Sequence, residues 1–283
     1  MSTIAPTQTP ASPTVQRPAG PAYRVTAARV LRAEWAKMWS LRSTWITLGL
    51  GLLFLVAFGL IAAFQFKSRI TSGRPMDRDF ADATALSLSL FGTNFAQLAL
   101  GVLGVLVAAG EYSTGMIRST LAAVPRRLPV LWSKATVYGL TALLLATVGV
   151  FVAFAADSQI VSSTRAAMTL SDAGVVRSLL GAGLYLALVG VIGVALGMLL
   201  RSVAGGISVL VASLMLVPGL VSLLPSSWQS HISPYLPSHA GEAMFTLHHD
   251  ATTLSPGAGL AVFLGWTVLA LAGAAVRLVR TDA

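Results

Sequence analysis

The sequence has 283 residues, of which 55% are hydrophobic and only 10% are charged. Soluble domains carry about 25% charged residues, so this composition excludes an ordinary soluble protein and indicates that lipid is the main solvent. The chain contains no cysteine, which excludes disulfides, thiolate nucleophiles and cysteine-ligated metal or iron–sulfur sites. The net charge of +9 has to be located along the chain before it is assigned to any partner.

The N-terminal part of the sequence divides into a tail and a basic segment. Residues 1–22 are rich in proline, serine, threonine and alanine and almost lack large apolar side chains, so we predict a disordered tail. Residues 23–44 combine basic residues with tryptophans, which predicts an amphipathic helix in the membrane interface. Its apolar stripe is expected to hold Leu31, Trp35 and Met38, with Trp39 beside them. The alternative is a basic flank without a docking role.

Six apolar windows are long enough to cross the hydrocarbon core of a bilayer, which takes about 20 helical residues. They are Trp45–Phe66, Ser87–Ala109, Ala135–Ala156, Leu179–Leu200, Val203–Leu224 and Ala258–Val279. Only Arg201 and Ser202 separate the fourth window from the fifth, which predicts a tight helical hairpin. We therefore predict an all-α membrane protein, with six transmembrane helices in one domain over residues 23–283.

The distribution of basic residues predicts how these spans are oriented. If the N-terminus lies in the cytoplasm, 13 of the 19 Lys and Arg residues and 3 of the 10 acidic residues fall on the cytoplasmic side. The prediction is a multi-pass protein of the plasma membrane with both termini cytoplasmic. Because this bias accounts for the net positive charge, no nucleic acid is expected as a partner.

The segment between the second and third windows carries the most informative pattern, GEYSTGMIRSTLAAVPRR. Glu111 places a carboxylate at the membrane edge, Gly115 follows it, and a short amphipathic turn ends at Pro125, where proline stops the helix. We predict a compact helical elbow over residues 110–127, suited to receive force from a cytoplasmic partner. The alternative is an ordinary loop with positive-inside arginines.

With this pattern the chain resembles the permease subunits of ABC-2-type ABC transporters, in particular the short actinobacterial members. Those permeases have a type V exporter-like fold: an interfacial helix, six spans, a cytoplasmic coupling helix and an extracellular re-entrant segment. Their coupling helix opens with Glu-x-x-x-Gly and closes near Leu-x-x-x-Pro. The matching residues here are Glu111, Gly115, Leu121 and Pro125, whereas Met116 stands where family members usually have Thr or Ser.

The resemblance implies a division of labour between subunits. The permease dimerises with a second copy or a sister permease, and a separate cytoplasmic ABC ATPase, which binds ATP and Mg²⁺, docks on the coupling helix. The cargo of such an efflux system would be an amphipathic or apolar small molecule or lipid. The implied ATPase-coupling residues are Glu111, Gly115, Met116, Ile117, Arg118, Leu121, Pro125 and Arg126.

The sequence bears independently on the location of the motor. A phosphate-binding loop needs glycine immediately before lysine, and the three lysines follow Ala36, Phe66 and Ser133. We therefore expect the chain to be a pore-forming subunit that is not itself an enzyme, binds no cofactor and relies on another polypeptide for ATP hydrolysis.

Several residues inside the predicted spans are candidates for function or packing. Polar or helix-breaking residues at membrane depth tend to face protein or water, and Asn94, Gln97 and Pro218 are candidates for a transport pathway or dimer seam. Hydrogen bonding between helices is the alternative for the two amides. A stripe of small residues predicts close helix packing; its members are Gly190, Gly193 and Gly197, with Gly101 and Gly104.

The outer segment, residues 225–257, is interrupted by four prolines and still carries aromatic and aliphatic side chains. Short amphipathic pieces of this kind are expected to re-enter the outer leaflet where protein covers their backbone. His239 with Glu242, and His248 with His249, match no metal-ligand spacing, so no metal site is predicted.

Two alternatives belong to other functional classes. A non-transporting membrane scaffold or immunity-type protein would bind partners through the same elbow. A secondary carrier would need an ionisable residue in its pathway, and no centre of a predicted span carries a charge.

Overall fold

The computed structural model describes residues 26–73, 82–124, 126–247 and 253–280. Within these ranges every regular element is helical, and six helices are long and apolar enough to cross a membrane. The prediction of an all-α protein is therefore confirmed, and so is that of six helices long and apolar enough to span a membrane. The predicted tail, Pro125, His248 and His249 lie outside the described residues.

Five of the six spans are longer than the apolar windows that predicted them, and the fifth is shorter. Their bounds are Arg42–Thr71, Ala85–Ser113, Leu128–Ile160, Val175–Leu200, Val203–Val221 and Pro256–Arg280. Helical hydrogen bonding continues past the end of an apolar run wherever polar side chains can reach water or protein. In the third span, Pro129 occupies the first turn, where its missing N–H costs no hydrogen bond, so the helix starts well before the apolar run.

The amphipathic helix covers Ala27–Ser40, and Leu41 in an extended conformation separates it from the first span. Its buried side chains are Val30, Glu34 and Met38. Of the predicted stripe, Met38 is buried against the protein, whereas Trp35 and Trp39 are 45% and 53% exposed. The buried Glu34 and Met38 each come one residue before an exposed tryptophan, so the bulky aromatic rings point away from the bundle.

Two spans contain breaks in their α-helical ladder. The second consists of Ala85–Leu90 and Thr93–Ser113; at the turn between them, a Cβ on Gly92 would overlap the carbonyl oxygen of Leu55 in the first span. The fifth span contains a π-helical turn, Ala212–Leu216, which ends two residues before Pro218. Because proline lacks an N–H and its ring collides with the carbonyl four residues back, the wider turn relieves the conflict.

The fourth span is the centre of the bundle, with 61% of its apolar window buried, against 17% and 22% for the fifth and sixth spans. Its glycines pack on the second span as predicted: a Cβ on Gly193 would overlap the carbonyl oxygen of Gly101, and one on Gly104 would overlap that of Gly190. The two backbones therefore touch directly. The fifth and sixth spans, in contrast, present mostly apolar faces outward.

We call the end of the bundle that carries the amphipathic helix proximal and the other end distal. At the proximal end the elbow helix, Met116–Ala123, joins the second and third spans. At the distal end, three short elements precede the sixth span: Ser226–Ile232, Ser233–Tyr235 and Pro237–Glu242. The last of these is inserted between the spans. Gly241 packs on Tyr185, which lies about 15 Å along the fourth span from its distal end.

Candidate functional site

Four charged side chains meet at the proximal end and form what we call the ion cluster: Glu34, Lys37, Glu111 and Lys134. The Lys134 ammonium lies 2.7 Å from Glu34 Oε2 and 2.8 Å from Glu111 Oε1. Lys37 lies 2.8 Å from Glu34 Oε1 and 3.0 Å from the same Glu111 oxygen. Each lysine thus bridges both carboxylates, and the charges of the cluster sum to zero.

Three helices position the ion cluster. Glu34 and Lys37 are one turn apart on the amphipathic helix, Glu111 lies in the last turn of the second span, and Lys134 lies in the second turn of the third span. The side chains of Lys134, Glu34 and Glu111 are only 2%, 5% and 5% exposed. At such burial the attraction between opposite charges offsets their lost hydration only when all partners are present. The cluster therefore fixes the amphipathic helix against two spans.

The ion cluster shifts the ionisation of its members on the amphipathic helix. Burial by itself would raise the pKa of Glu34, but the adjacent Lys134 and Lys37 ammonium groups bring it below its ordinary value. Burial would lower the pKa of Lys37, but its hydrogen bond and attraction to Glu34, together with Glu111, raise it. Both shifts favour the charged forms, so Glu34 and Lys37 are ionised at neutral pH.

The elbow helix is connected to the ion cluster at one point. Lys37 Nζ lies 3.4 Å from Thr120 Oγ1, and Thr120 belongs to the elbow helix. A small apolar contact supports this connection, because Leu121 packs against Val30 of the amphipathic helix together with Val124 and Val130. The elbow helix, the amphipathic helix and the start of the third span are therefore packed as one unit.

Gly115 sets the direction in which the elbow helix leaves the second span. Its backbone has φ of 73°, in the left-handed region, which residues with a side chain adopt only at a cost. Thr114 ends the preceding helix, and the Gly115 carbonyl accepts from Arg118 N at 3.2 Å. The left-handed backbone conformation therefore explains why glycine suits this position of the predicted Glu-x-x-x-Gly pattern.

The predicted coupling residues divide between an inner and an outer face of the elbow. Ile117 is buried, and Glu111 belongs to the ion cluster. Met116 is 42% exposed, and Arg118 and Arg126 are exposed as well. The described part of the elbow therefore presents one apolar and two basic side chains on a surface that none of the described residues covers.

A cavity of about 460 Å³, the proximal cavity, lies beside the ion cluster. Its lining includes the four cluster residues, apolar side chains of the second span and hydroxyl groups at the start of the first span. Glu111 Oε2 is buried and has no hydrogen-bond partner among the described residues. The cavity therefore combines charged and hydroxyl groups with an apolar wall.

A second cavity, of about 640 Å³, lies at the distal end and is lined by Asn94, Gln97 and Pro218. The structure thus brings the three predicted pathway residues together around one space. Gln97 Oε1 also accepts a hydrogen bond from the Tyr185 hydroxyl of the fourth span, and its amide nitrogen lies 3.2 Å from the Asn94 carbonyl. Gln97 therefore both joins two helices and lines the distal cavity.

The outer-segment histidines within the described residues have structural partners. His239 Nδ1 lies 2.7 Å from Ser233 Oγ, and His231 Nδ1 lies 2.7 Å from the Ser227 carbonyl. No group of three or more His, Asp or Glu side chains able to hold a metal occurs in the described ranges.

Sequence reasoning missed Lys37, Lys134, Glu34 and Asp157 as site residues. The first three were predicted only as charges near the membrane surface, although acidic residues are scarce on the basic side of the chain, and that scarcity was an available signal. Asp157 was placed just outside the third span, but the helix continues to Ile160. Its side chain is fully buried, with both carboxylate oxygens unpaired among the described residues.

Comparisons with known proteins assign this chain to no family. The chain matches none of the family models against which it was scanned, and a search of curated proteins returns no match either.

Proposed function

We propose that this chain is the membrane-spanning permease subunit of an ATP-driven exporter of the ABC-2 type, and that a separate ATPase subunit acts on its elbow. The observation that carries the proposal is the ion cluster, which joins the amphipathic helix, the elbow helix and two spans. An exposed elbow that is held rigidly to the spans behind it suits the transfer of a push from a partner into the membrane.

The rigidity of this connection follows from its charges. Moving Glu111, which lies just before the elbow helix, away from the amphipathic helix would separate it from Lys37 and leave buried charges unpaired, which is strongly unfavourable. A force on the elbow helix is therefore expected to move Glu111 and Lys134 with it rather than to bend the loop. Since both residues belong to spans, the displacement reaches the bundle.

The exposed face of the elbow supports an acidic or mixed docking surface on the partner. Met116 supplies an apolar contact, and Arg118 and Arg126 supply positive charge. ATP and Mg²⁺ would be held by that partner, the cytoplasmic ATPase. In this proposal the proximal end faces the cytoplasm, in agreement with the excess of basic residues there.

The remaining features fit a dimeric exporter. The outward apolar faces of the fifth and sixth spans suit contact with a second copy or a sister permease. The distal cavity has both apolar and amide side chains, including Leu214, Asn94 and Gln97. Such a lining favours an amphipathic cargo that leaves from the distal side.

Co-purification tests the proposal. We expect the native protein to bring down an ATPase, and Arg118→Glu to abolish this by reversing the charge on the elbow surface. Arg280→Glu, at the proximal end of the sixth span, is the matched control and is expected to retain the ATPase. Transport by the purified chain alone, with no nucleotide-dependent partner, would refute the proposal. A complex whose ATP hydrolysis no cargo stimulates would favour the scaffold alternative.

Asp157 is the one observation in favour of a secondary carrier. It gives the third span a buried acid that the sequence windows had excluded. Uptake or efflux driven by a proton gradient in vesicles without nucleotide, and lost in Asp157→Asn, would support this second candidate against the ABC-type proposal.

A further inference from the structure

We propose that a groove between the fifth and sixth spans binds an acyl chain of an anionic phospholipid, whose phosphate lies near Arg277 at the proximal end of the bundle. The site is formed by this chain alone, so the proposal does not depend on an ATPase partner.

The groove, which we call the lateral groove, is a cavity of about 310 Å³ lined by the fourth, fifth and sixth spans. The fifth and sixth spans both pack on the fourth, and within the described residues they make few contacts with each other. The floor of the groove is buried, with Leu210 and Leu196 only 1% and 8% exposed, whereas Leu269 at its rim is 62% exposed. The groove is therefore open sideways, in the direction of the lipid.

The lining of the lateral groove suits a hydrocarbon chain. Of the described residues that line it, only Ser213 and Trp266 have side chains with a hydrogen-bonding group. The Ser213 hydroxyl donates to the Leu210 carbonyl at 2.8 Å, and the Trp266 indole N–H donates to the Tyr235 carbonyl at 3.0 Å. Both donors are therefore already used, and a ligand is stabilised here by the burial of apolar surface.

Basic side chains continue the groove face of the sixth span toward the proximal end. Helical residues three or four positions apart share one face, and this spacing connects Trp266, Ala270, Gly273, Arg277 and Arg280. The last two are exposed. The guanidinium carbon of Arg201 lies 5.3 Å from the centre of the Tyr112 ring, and Arg277 acts electrostatically on the same tyrosine. The proximal end of this face is therefore positively charged and complements an anionic headgroup.

The length of the groove face matches one leaflet of a bilayer. From Trp266 to Arg277 is a step of 11 residues, about 16 Å along a helix at 1.5 Å per residue. Half of a hydrocarbon core of about 30 Å is about 15 Å. Between these two residues lie Ala270 and Gly273, whose small side chains leave room for a chain against the helix. An acyl chain that starts from a phosphate at Arg277 therefore reaches Trp266 in the groove.

The charges favour a lipid over a second copy of the chain as the occupant of the groove. Two copies in one membrane have the same orientation, so packing this face on its counterpart would bring Arg277 and Arg280 of both copies to the same level. Like charges that approach each other in this way are unfavourable. The other outward faces of the fifth and sixth spans remain available to a partner copy.

Trp266 lies in the groove and reports on its occupant by fluorescence. The other five tryptophans are at least 37% exposed, so their replacement by phenylalanine is expected to leave the interior intact. The full chain with Trp266 alone is reconstituted into phosphatidylcholine bilayers that contain the same small fraction of lipid brominated on its acyl chains, either phosphatidylglycerol or phosphatidylcholine. Bromine quenches tryptophan on contact.

We expect brominated phosphatidylglycerol to quench Trp266 about fivefold more strongly than brominated phosphatidylcholine, because one basic residue near an anionic lipid contributes about that factor in affinity. Equal quenching by the two lipids would refute an anionic-lipid site. Absence of quenching by either lipid would show that protein, such as a second copy, fills the groove, and would overturn the proposal as well.

Variants of the single-tryptophan protein locate the headgroup and the chain. Arg277→Gln is expected to bring the two lipids to nearly equal quenching, whereas Arg277→Lys keeps the charge and should retain the preference. Ala270→Leu extends a larger side chain into the groove and is expected to remove most of the quenching by phosphatidylglycerol. Ala272→Leu, at an exposed position outside the groove lining, is the control and should leave quenching unchanged. An undiminished preference in Arg277→Gln would contradict the proposal.

Discussion

Among single residues, Lys134 is the least exposed member of the ion cluster, and it contacts both carboxylates. Replacing it by methionine keeps the length of the side chain but leaves two buried carboxylates with fewer cations. We expect Lys134→Met to lower the free energy of unfolding by about 3–5 kcal/mol, measured by chemical denaturation in detergent. Lys67→Met, in a half-buried lysine of the distal end outside the cluster, should cost much less; equal losses would show that the cluster contributes no special stability.

The same cluster predicts how docking of the amphipathic helix depends on pH. Glu34 has a lowered pKa, so its contribution is present above the ordinary value of 4.5 and is lost as pH falls through the folded pKa. Lys37 has a raised pKa, so its contribution is present below 10.5 and is lost as pH rises through the folded pKa. We expect docking to be constant between these limits and to weaken on both sides. Tryptophan fluorescence of the amphipathic helix measures it, and a transition near pH 7 would contradict this account.

Gly115 offers a third prediction at this scale, with a matched control a few residues away. Gly115→Ala forces a side chain into a left-handed conformation and should destabilise the elbow by about 1–2 kcal/mol. Gly110→Ala lies inside the helix of the second span, where no atom is within 4 Å of the added Cβ, and should be neutral or stabilising. Proteolysis rates of the elbow in the two variants provide the comparison, and equal rates would count against a structural role for the glycine.

The sequence identified part of this site and could not identify the rest. Gly115 and Pro125 are residue types that end or redirect helices, and Glu111 was identified as a carboxylate at the membrane edge. The ion cluster depends on residues up to 100 positions apart, as between Glu34 and Lys134. A charged residue near a membrane end has the same appearance in a sequence whether it meets water or an opposite charge.

At the scale of elements, contact between the second and fourth spans depends on glycine. Gly104→Leu would place four heavy atoms where the Gly190 carbonyl now lies, and overpacking of this kind costs about 1–3 kcal/mol or more. We expect a large fall in thermal stability, measured by the temperature at which the protein aggregates in detergent. Gly265→Leu on the sixth span, with nothing within 4 Å of its Cβ position, is the control and should change little.

The sequence predicted that the six spans exist, but it did not predict the breaks inside them. Each of the six apolar windows corresponds to a helix, because an apolar run of this length is stable in a bilayer when its backbone groups are hydrogen-bonded within a helix. The break at Gly92 left no local signal, since its cause is the approach of Leu55 from another span. Pro218 did signal a disturbance in the fifth span, but the π-helical form of that disturbance depends on packing.

For the whole molecule, the absence of cysteine makes topology directly measurable. Single cysteines can be introduced at Ser119 on the elbow helix and at Ser230 in the outer segment, both of which are exposed. We expect a membrane-impermeant thiol reagent added to intact cells to label Ser230→Cys and to spare Ser119→Cys until the membrane is opened. The opposite pattern would place the elbow outside and remove the basis for an ATPase partner.

The π-helical turn of the fifth span determines which side chains form one wall of the distal cavity. Leu214, Met215 and Pro218 line that cavity from within or just after the turn. Each residue of an α-helix is rotated by about 100° from the one before, and a π-helical turn holds one residue more than an α-helical turn. Converting the turn to α-helical form with the same residues would therefore rotate everything beyond it by about that angle. Such a rotation would replace Pro218 in the cavity wall by side chains that now face elsewhere.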